Sequence, residues 1–346
     1  MAKKLTVAVI GCGAIAQGLH LPGYSRCKDI KRLVAVDVDP VRFKDLEGKF
    51  PIAATYTDRK EMLKKENPDI VSVCTPNCFH AEIAIDALEA GANVLLEKPM
   101  TKTMDQARNV LAVAEKTGGK VMIGFTHRFH SRNGKVKELL QQNVIGDPFM
   151  IRVRFAHTGP FPGWAKSDWF YNPEMAGGGA LLDMGIHAID ICQWMMGPIT
   201  SVASQMGTLR KNIAVDDNAL LALTFGDRAM GYIEVGWTSP AGFCGFEIMG
   251  DNGAIINDYT SSLRVGHGRI SPEHDSVSNL TWEEIDSCAS DGGAREMEYF
   301  LNTIQQGETP EPGLHAGYTA LEVALAAIDS AKTGQRAELP AFALKK

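Results

Sequence analysis

Residues 5–16 read Leu5-Thr6-Val7-Ala8-Val9-Ile10-Gly11-Cys12-Gly13-Ala14-Ile15-Ala16, and the fold follows from this stretch. The run 5–10 is continuous and apolar, the pattern of a strand buried on both faces. The next six residues form a G-x-G-x-x-A fingerprint at the start of a helical pattern. Gly11 permits the tight turn, Gly13 lets the backbone approach a pyrophosphate, and Ala16 is small enough for the helix to pack on the strand. The free N–H groups at the helix start, from Ala14 and Ile15 onward, suit an anion. Alone the motif is weak; between the first strand and first helix of a βαβ unit it carries weight.

Working outward, Asp37 closes a second strand at 32–37, about 20 residues past the fingerprint, where an acid is expected on the adenosine ribose hydroxyls. A carboxylate there repels a 2′-phosphate, so NAD is expected and NADP is less favoured. Asp39 is an alternative ribose ligand, and Arg42 can soften the discrimination.

Further strands read at 70–74, 94–97 and 120–123. Helical patterns read at 14–24, 40–50, 58–65 with Asp58 as cap, 80–90 and 104–117. Continuous apolar strands alternating with helices predict an α/β Rossmann domain over 1–125, with a parallel sheet covered on both faces. The pattern then changes. After a helix near 134–143, long alternating strands appear at 149–156, 201–208, 219–225, 229–237 and 243–249, with turns at 226–228 and 250–253. One helix interrupts them at 180–196, and the last clear helix spans 314–332. This predicts a C-terminal α+β domain over 126–346 with a large, mostly antiparallel open sheet, whose final helix can pack back on the first domain.

The chain has 346 residues, which suits about two domains. Hydrophobic residues at 45% and charged residues at 22% exclude disorder and coiled coil as overall descriptions. The net charge of −6 argues against a nucleic-acid binder. The charge divides unevenly: residues 1–125 hold 18 Lys/Arg against 15 Asp/Glu, and the remainder 17 against 26. No stretch reads as a membrane span. Lys3-Lys4 before the apolar run imitates a secretory signal, but the run is too short and cleavage would remove the fingerprint. Seven cysteines (Cys12, Cys27, Cys74, Cys78, Cys192, Cys244, Cys288) include no CxxC pair. That predicts reduced thiols, a cytoplasmic protein and no metal site.

Several motifs now stand together. Glu97-Lys98-Pro99 follows one strand; Thr75-Pro76-Asn77, with His80 beyond it, follows another. Gly177-Gly178-Gly179-Ala180 runs into Asp183, His187 and Asp190, and Gly124-Phe125 with Arg128-Phe129 joins the two halves. In this order the chain resembles the glucose–fructose oxidoreductase/inositol dehydrogenase (Gfo/Idh/MocA) family over nearly its whole length. The resemblance implies a Rossmann domain followed by an open-sheet domain that often forms the oligomer interface, here of a homodimer or homotetramer. It implies an NAD(P)-dependent dehydrogenase acting on a sugar or polyol, with Lys98, Asp183 and His187 lining the reacting carbon.

The chemistry agrees with those residue types. Removing a hydride from a secondary alcohol requires loss of the hydroxyl proton, which a neutral imidazole, His187, can accept. Asp183 lies i, i+4 from it and either bonds a neighbouring substrate hydroxyl or steadies the imidazolium; Asp190 is a possible orienter. The Lys98 ammonium can hydrogen-bond the reacting oxygen from the carboxyl edge of the sheet, where ligands of such folds bind. A cis Lys98–Pro99 bond commonly aims this lysine in the family. Thr75, Pro76 and Asn77 share that edge and can contact pyrophosphate and ribose; the resemblance adds His80 and Glu97 to the cofactor set. Arg128 suits substrate, cofactor or a salt bridge. Trp164 heads an aromatic loop with Asp168, Trp169, Phe170 and Tyr171 that suits either sugar binding or anchoring on the sheet. The expected function is oxidation of a secondary hydroxyl of a cyclic polyol, sugar or derivative. A non-catalytic dinucleotide-binding sensor and an NAD-dependent glycosidase are the alternatives.

Overall fold

The computed structural model describes residues 3–160, 167–268, 280–285 and 292–340. The elements of the first part are β1 (Leu5–Ile10), α1 (Leu21–Arg26), β2 (Ile30–Val36), α2 (Val41–Lys44), β3 (Ile52–Tyr56), α3 (Arg59–Glu66), β4 (Ile70–Val73), α4 (His80–Glu89), β5 (Asn93–Leu96), α5 (Met104–Thr117) and β6 (Val121–Ile123). They build a six-stranded sheet in the order β3-β2-β1-β4-β5-β6, parallel throughout. The chain reverses direction across the sheet between β1 and β4, the switch point where doubly wound folds bind ligands. Val7, Val9, Ile70 and Leu95 are fully buried there, each burial contributing about 1.5–3 kcal/mol. Helix ends follow local chemistry. The side chain of Asp58 accepts from Lys60 N and starts α3. Thr103 does the same for α5, and Gly118 in the left-handed region ends it.

The second part contains α6 (Ser131–Gln141), β7 (Pro148–Ala156), α7 (Pro173–Ala176), α8 (Ile186–Met196), β8 (Ser201–Gly207), β9 (Asn218–Phe225), β10 (Ala229–Gly236), β11 (Phe243–Gly250), β12 (Gly253–Asp258), β13 (Leu263–His267), β14 (Thr281–Ile285), α9 (Gly292–Gln306), α10 (Leu314–Thr333) and β15 (Ala337–Glu338). Its nine-stranded sheet runs β14-β13-β12-β11-β7-β10-β9-β8-β15. Every pairing is antiparallel except β10 with β7. The strands alternate. Ile151, Val153, Leu221, Leu223, Ile233 and Val235 are buried on one face, where α8 packs on β7.

The chain divides into two compact units. The first runs to Phe129 and takes in Glu174–Gly177 and the segment ending at Tyr318; the second holds the rest. Helix α9 therefore belongs with the parallel sheet, and α10 begins there, Gly317 lying against Ile123 of β6.

Several sequence expectations needed correction. The helix expected over 40–50 is only the short α2, followed by turns. Strands β3, β12, β13, β14 and β15 and helix α9 went unseen. β3 is an edge strand with half-exposed, mixed residues, and β12 begins with glycine. The apolar residues of α9, Met297, Phe300 and Leu301, do recur on one face, so this helix was readable and was overlooked; its buried face also takes in Gly292, Gly293, Glu296 and Thr303. The two helices read at 14–24 and 180–196 each contain a π-helical turn, Ala16–His20 and Leu181–Gly185.

Candidate active site

The expected cofactor residues of the first unit gather at the carboxyl ends of adjacent strands β2, β1, β4 and β5. Gly11 has φ +91°, and a Cβ there would lie 2.6 Å from the Cys74 carbonyl oxygen. The turn is therefore restricted to glycine by conformation and by space. Gly13 differs, because a Cβ on it would meet nothing within 4 Å. Its backbone borders open space, a cradle into which a flat or anionic group can come close. The Cys12 side chain turns inward, its thiol donating to Val36 O at 3.5 Å, and burial pushes that thiol up to about 12. It is a packing residue of the loop.

Asp37 stands where the sequence predicts. Oδ2 accepts from Cys12 N at 2.7 Å, and Oδ1 accepts from Asp39 N at 2.9 Å. The carboxylate thus ties the fingerprint loop to the end of β2. Beyond β4, Asn77 Nδ2 donates to Ala176 O at 2.8 Å. Thr75 Oγ1 is buried and makes no hydrogen bond among the described residues. An open Gly13, an orphaned Thr75 hydroxyl and a carboxylate at the end of β2 fit a dinucleotide.

Lys98 follows β5, and the Lys98–Pro99 bond is cis. Its neighbours His80 and Glu97, expected as cofactor contacts, are both buried. The His80 ring nitrogens face Pro99 O at 2.8 Å and Thr75 O at 2.9 Å. Burial lowers the His80 pKa despite those carbonyls. Glu97 takes His20 Nε2 on Oε1 at 2.9 Å and Lys98 N on Oε2 at 3.2 Å. Burial alone would raise Glu97, but the His20 bond and nearby positive charge outweigh it and hold the carboxyl below its ordinary range. Arg128 sits half-buried in the turn Thr126–Phe129.

In the second unit, Asp183 lies in the π turn Leu181–Gly185 and His187 in the first turn of α8. Trp237 Nε1, at the end of β10, donates to Asp183 Oδ2 at 3.2 Å. His187 and Asp190 are buried.

The glycine run has a structural cause the sequence did not show. A Cβ on Gly179 would stand 1.9 Å from Asp216 O. Asp216 Oδ1 accepts from Gly179 N at 2.7 Å and Oδ2 from Leu181 N at 2.8 Å, while its carbonyl takes Ala180 N at 2.9 Å. The start of the π turn is thereby satisfied within the protein. Burial raises Asp216, partly offset by those N–H donors. Asp217 accepts from the backbone of Leu209, Arg210 and Lys211. These donors outweigh its burial and lower it. Sequence reasoning missed Asp216, Asp217 and Trp237; the Asp216-Asp217-Asn218 run before a strand was the available signal.

Trp164 lies outside the described residues. Of its loop, Trp169 and Phe170 stack at 4.0 Å. Among the described residues no cluster of three or more His, Cys, Asp or Glu side chains could hold a metal ion. None of their helices is long and apolar enough to cross a membrane.

Comparison with known proteins finds both parts of the chain in one family. Residues 5–125 match the oxidoreductase family with an NAD-binding Rossmann fold, and residues 134–256 match the GFO/IDH/MocA C-terminal domain. The chain is 28% identical to the D-glucoside 3-dehydrogenase of Escherichia coli, covering 97% of this chain and 98% of that one. It is 24% identical to the myo-inositol 2-dehydrogenase of Thermotoga maritima, covering 93% and 95%. Among solved structures, an oxidoreductase domain protein from Kribbella flavida superposes with a TM-score of 0.86 at 26% identity, covering 98% of this chain and 100% of that one.

Proposed function

The chain belongs to the Gfo/Idh/MocA oxidoreductase family, and from that premise we propose that it is an NAD-dependent dehydrogenase of a secondary hydroxyl on a cyclic polyol, sugar or sugar derivative. The observation that carries the reading is the cradle at Gly11 and Gly13 beside the orphaned Thr75 hydroxyl, at the switch point of the sheet. Gly11, Gly13 and the N–H groups of Ala14 and Ile15 would hold the pyrophosphate. Asp37 would take the ribose, with Thr75, Pro76 and Asn77 on the same edge. NAD, when bound, supplies the hydride acceptor.

The remaining roles belong to this chain's side chains. His187 accepts the hydroxyl proton as general base. Lys98 donates a hydrogen bond to the reacting oxygen and stabilises its developing negative charge. Asp183, fixed by the Trp237 indole, orients a neighbouring substrate hydroxyl. His80 and Glu97 are given no contact with the cofactor, since their polar atoms are engaged with protein. The named relatives act on a glucoside and an inositol, rings that carry several secondary hydroxyls, which supports this substrate class. NAD is preferred to NADP because of the Asp37 carboxylate. The described cysteines are free thiols, three of them buried, which supports a reducing compartment, the cytoplasm. The enzyme works as a homo-oligomer joined through the second-unit sheet.

The test is a panel of inositols, hexoses, methyl glycosides, sugar phosphates and nucleotide sugars, each incubated with NAD. Steady NADH production from a free sugar, glycoside or polyol is expected. Dinucleotide binding with no turnover would identify a sensor. Release of an aglycone without NADH would identify a glycosidase.

A further inference from the structure

Behind Lys98 lies a buried chain of polar side chains that the proposed reaction does not use. Its members come from distant parts of the first unit: Tyr24 on α1, Ser72 on β4, His20 in the π turn before α1, and Glu97 at the end of β5. All four are buried. Tyr24 Oη and Ser72 Oγ are 2.8 Å apart, and Ser72 Oγ and His20 Nδ1 are 3.3 Å apart. His20 Nε2 and Glu97 Oε1 are 2.9 Å apart, and Lys98 N donates to Glu97 Oε2 at 3.2 Å.

The hydrogens can be assigned from the ends. An ionised Glu97 only accepts, so His20 Nε2 carries the hydrogen between them. With that tautomer Nδ1 accepts from the Ser72 hydroxyl, and the Ser72 oxygen accepts from Tyr24. Each donor then finds an acceptor, from the Tyr24 hydroxyl to the Lys98 amide. The π turn contributes by bringing His20 to this point; such turns are uncommon and concentrate at functional positions. The far side of the carboxylate is equally confined. A Cβ on Gly124 would lie 3.1 Å from Glu97 Cδ and Oε1 and 3.2 Å from Oε2, so the carboxylate packs face-on against Gly124 in the space a side chain there would fill. His80 meanwhile faces the Pro99 carbonyl on the other side of the lysine.

We infer that His20 is a positioning residue for Lys98, acting through Glu97: it fixes the carboxylate that holds the lysine's backbone and thereby the height at which the ammonium is presented. This rests on Lys98 being catalytic, as proposed above. A misplacement on the order of 1 Å in a catalytic group can cost about 10²-fold in rate, so an isosteric loss of the His20 donor is expected to be visible in kcat.

The experiment is a double-mutant cycle with the full-length enzyme, NAD and the panel substrate of highest rate, combined with hydrogen exchange at the Lys98 amide without substrate. His20→Leu removes the donor, His20→Gln keeps one, and Lys98→Met removes the ammonium. The expected result is a loss of about 10–100-fold in kcat for His20→Leu, with the KM for NAD within about threefold, faster exchange at Lys98, and substantial recovery in His20→Gln. In the Lys98→Met background, His20→Leu should change the residual kcat by less than about threefold, because the group it positions is gone. The same loss in both backgrounds, or unchanged Lys98 exchange in His20→Leu, overturns the inference and makes His20 a packing residue. If His20→Leu does not fold, Glu97→Ala takes its place in the cycle with the same expectations. Full activity in Lys98→Met alone overturns the catalytic reading of Lys98, a separate failure.

Discussion

At Asp37 one carboxylate oxygen takes Cys12 N and the other takes Asp39 N, so the group that would read the ribose also braces the phosphate loop. Two outcomes follow for Asp37→Ala. The preference for NAD over NADP, expected to be at least about tenfold or ~1.4 kcal/mol, should narrow or reverse, and affinity for both cofactors should fall as the loop loosens. Dissociation constants for the two dinucleotides check this; a native preference for NADP would refute it. For His187, loss of a positioned base typically costs about 10²–10⁴-fold. His187→Ala should lose kcat by that factor while NAD affinity stays within about threefold. Retention of more than about a tenth of native kcat would move proton transfer to another group. Gly11, Gly13, Lys98 and His187 could be singled out in the sequence because they come in spaced motifs. Asp216 and Trp237 were not, because their partners Gly179 and Asp183 lie 37 and 54 residues away in sequence.

Among the elements, α5 was legible to the residue, since Thr103 caps it and Gly118 closes it. The π turns were not, because a single wide turn leaves the 3.6-residue period of its helix nearly intact in sequence. Helix α9 carries a readable apolar face, Met297, Phe300 and Leu301, but nothing local in the sequence says that it packs on the first unit. A Cβ on Gly23 would stand 2.7 Å from Met297, and one on Gly293 would stand 1.9 Å from Leu19. Helix α9 therefore approaches α1 and the π turn before it through glycines, where a pattern of apolar spacing expects bulk. On α9 Glu296 is fully buried, Oε2 accepting from the Thr126 hydroxyl at 2.8 Å. Burial first, and then the ionised Glu97, raise Glu296 well above its ordinary 4.5. The folded protein thus keeps this proton while the unfolded chain loses it above about that value. The stability tied to this proton is complete at low pH and erodes as pH rises toward the folded-state pKa. Glu296→Gln removes the dependence. Its stability relative to the native protein should be lowest near pH 4 and then climb, by up to about 1.4 kcal/mol per pH unit. Denaturant melts of both proteins from about pH 4 to 8 measure this; a difference that stays constant would show that Glu296 is ionised in the fold.

On the scale of the whole molecule, the second-unit sheet has one face under α8 and another that no helix of the described residues covers. That outer face carries Leu220 and Met230, which are 54% and 53% exposed, together with Tyr232 and Trp282. Across it run the ion pairs Arg152–Glu247 at 3.3 Å and Arg154–Glu234 at 2.9 Å. Exposed apolar side chains interleaved with both signs of charge suit a second copy of the same face, the self-complementary arrangement of a two-fold interface. Light scattering at micromolar concentration should give a dimer or tetramer, and Leu220→Glu with Tyr232→Glu should lower the mass without unfolding the protein. A native monomer would contradict this. The two-part organisation was legible because strand patterns change from continuous to alternating near Phe125. The return of α9 to the first unit was not, since it depends on a long-range packing of glycines and a buried acid.

If hydride passes from a ring carbon to the cofactor, an isotopic label on that carbon follows it. The best panel substrate, deuterated at the carbon that becomes the ketone, is turned over with unlabelled NAD, and the reduced cofactor is weighed by mass spectrometry. The product cofactor should carry the deuterium, in step with ketone formation, and Lys98→Met and His187→Ala should slow its appearance. Reduced cofactor without the label, or consumption of substrate with no reduced cofactor, would contradict it.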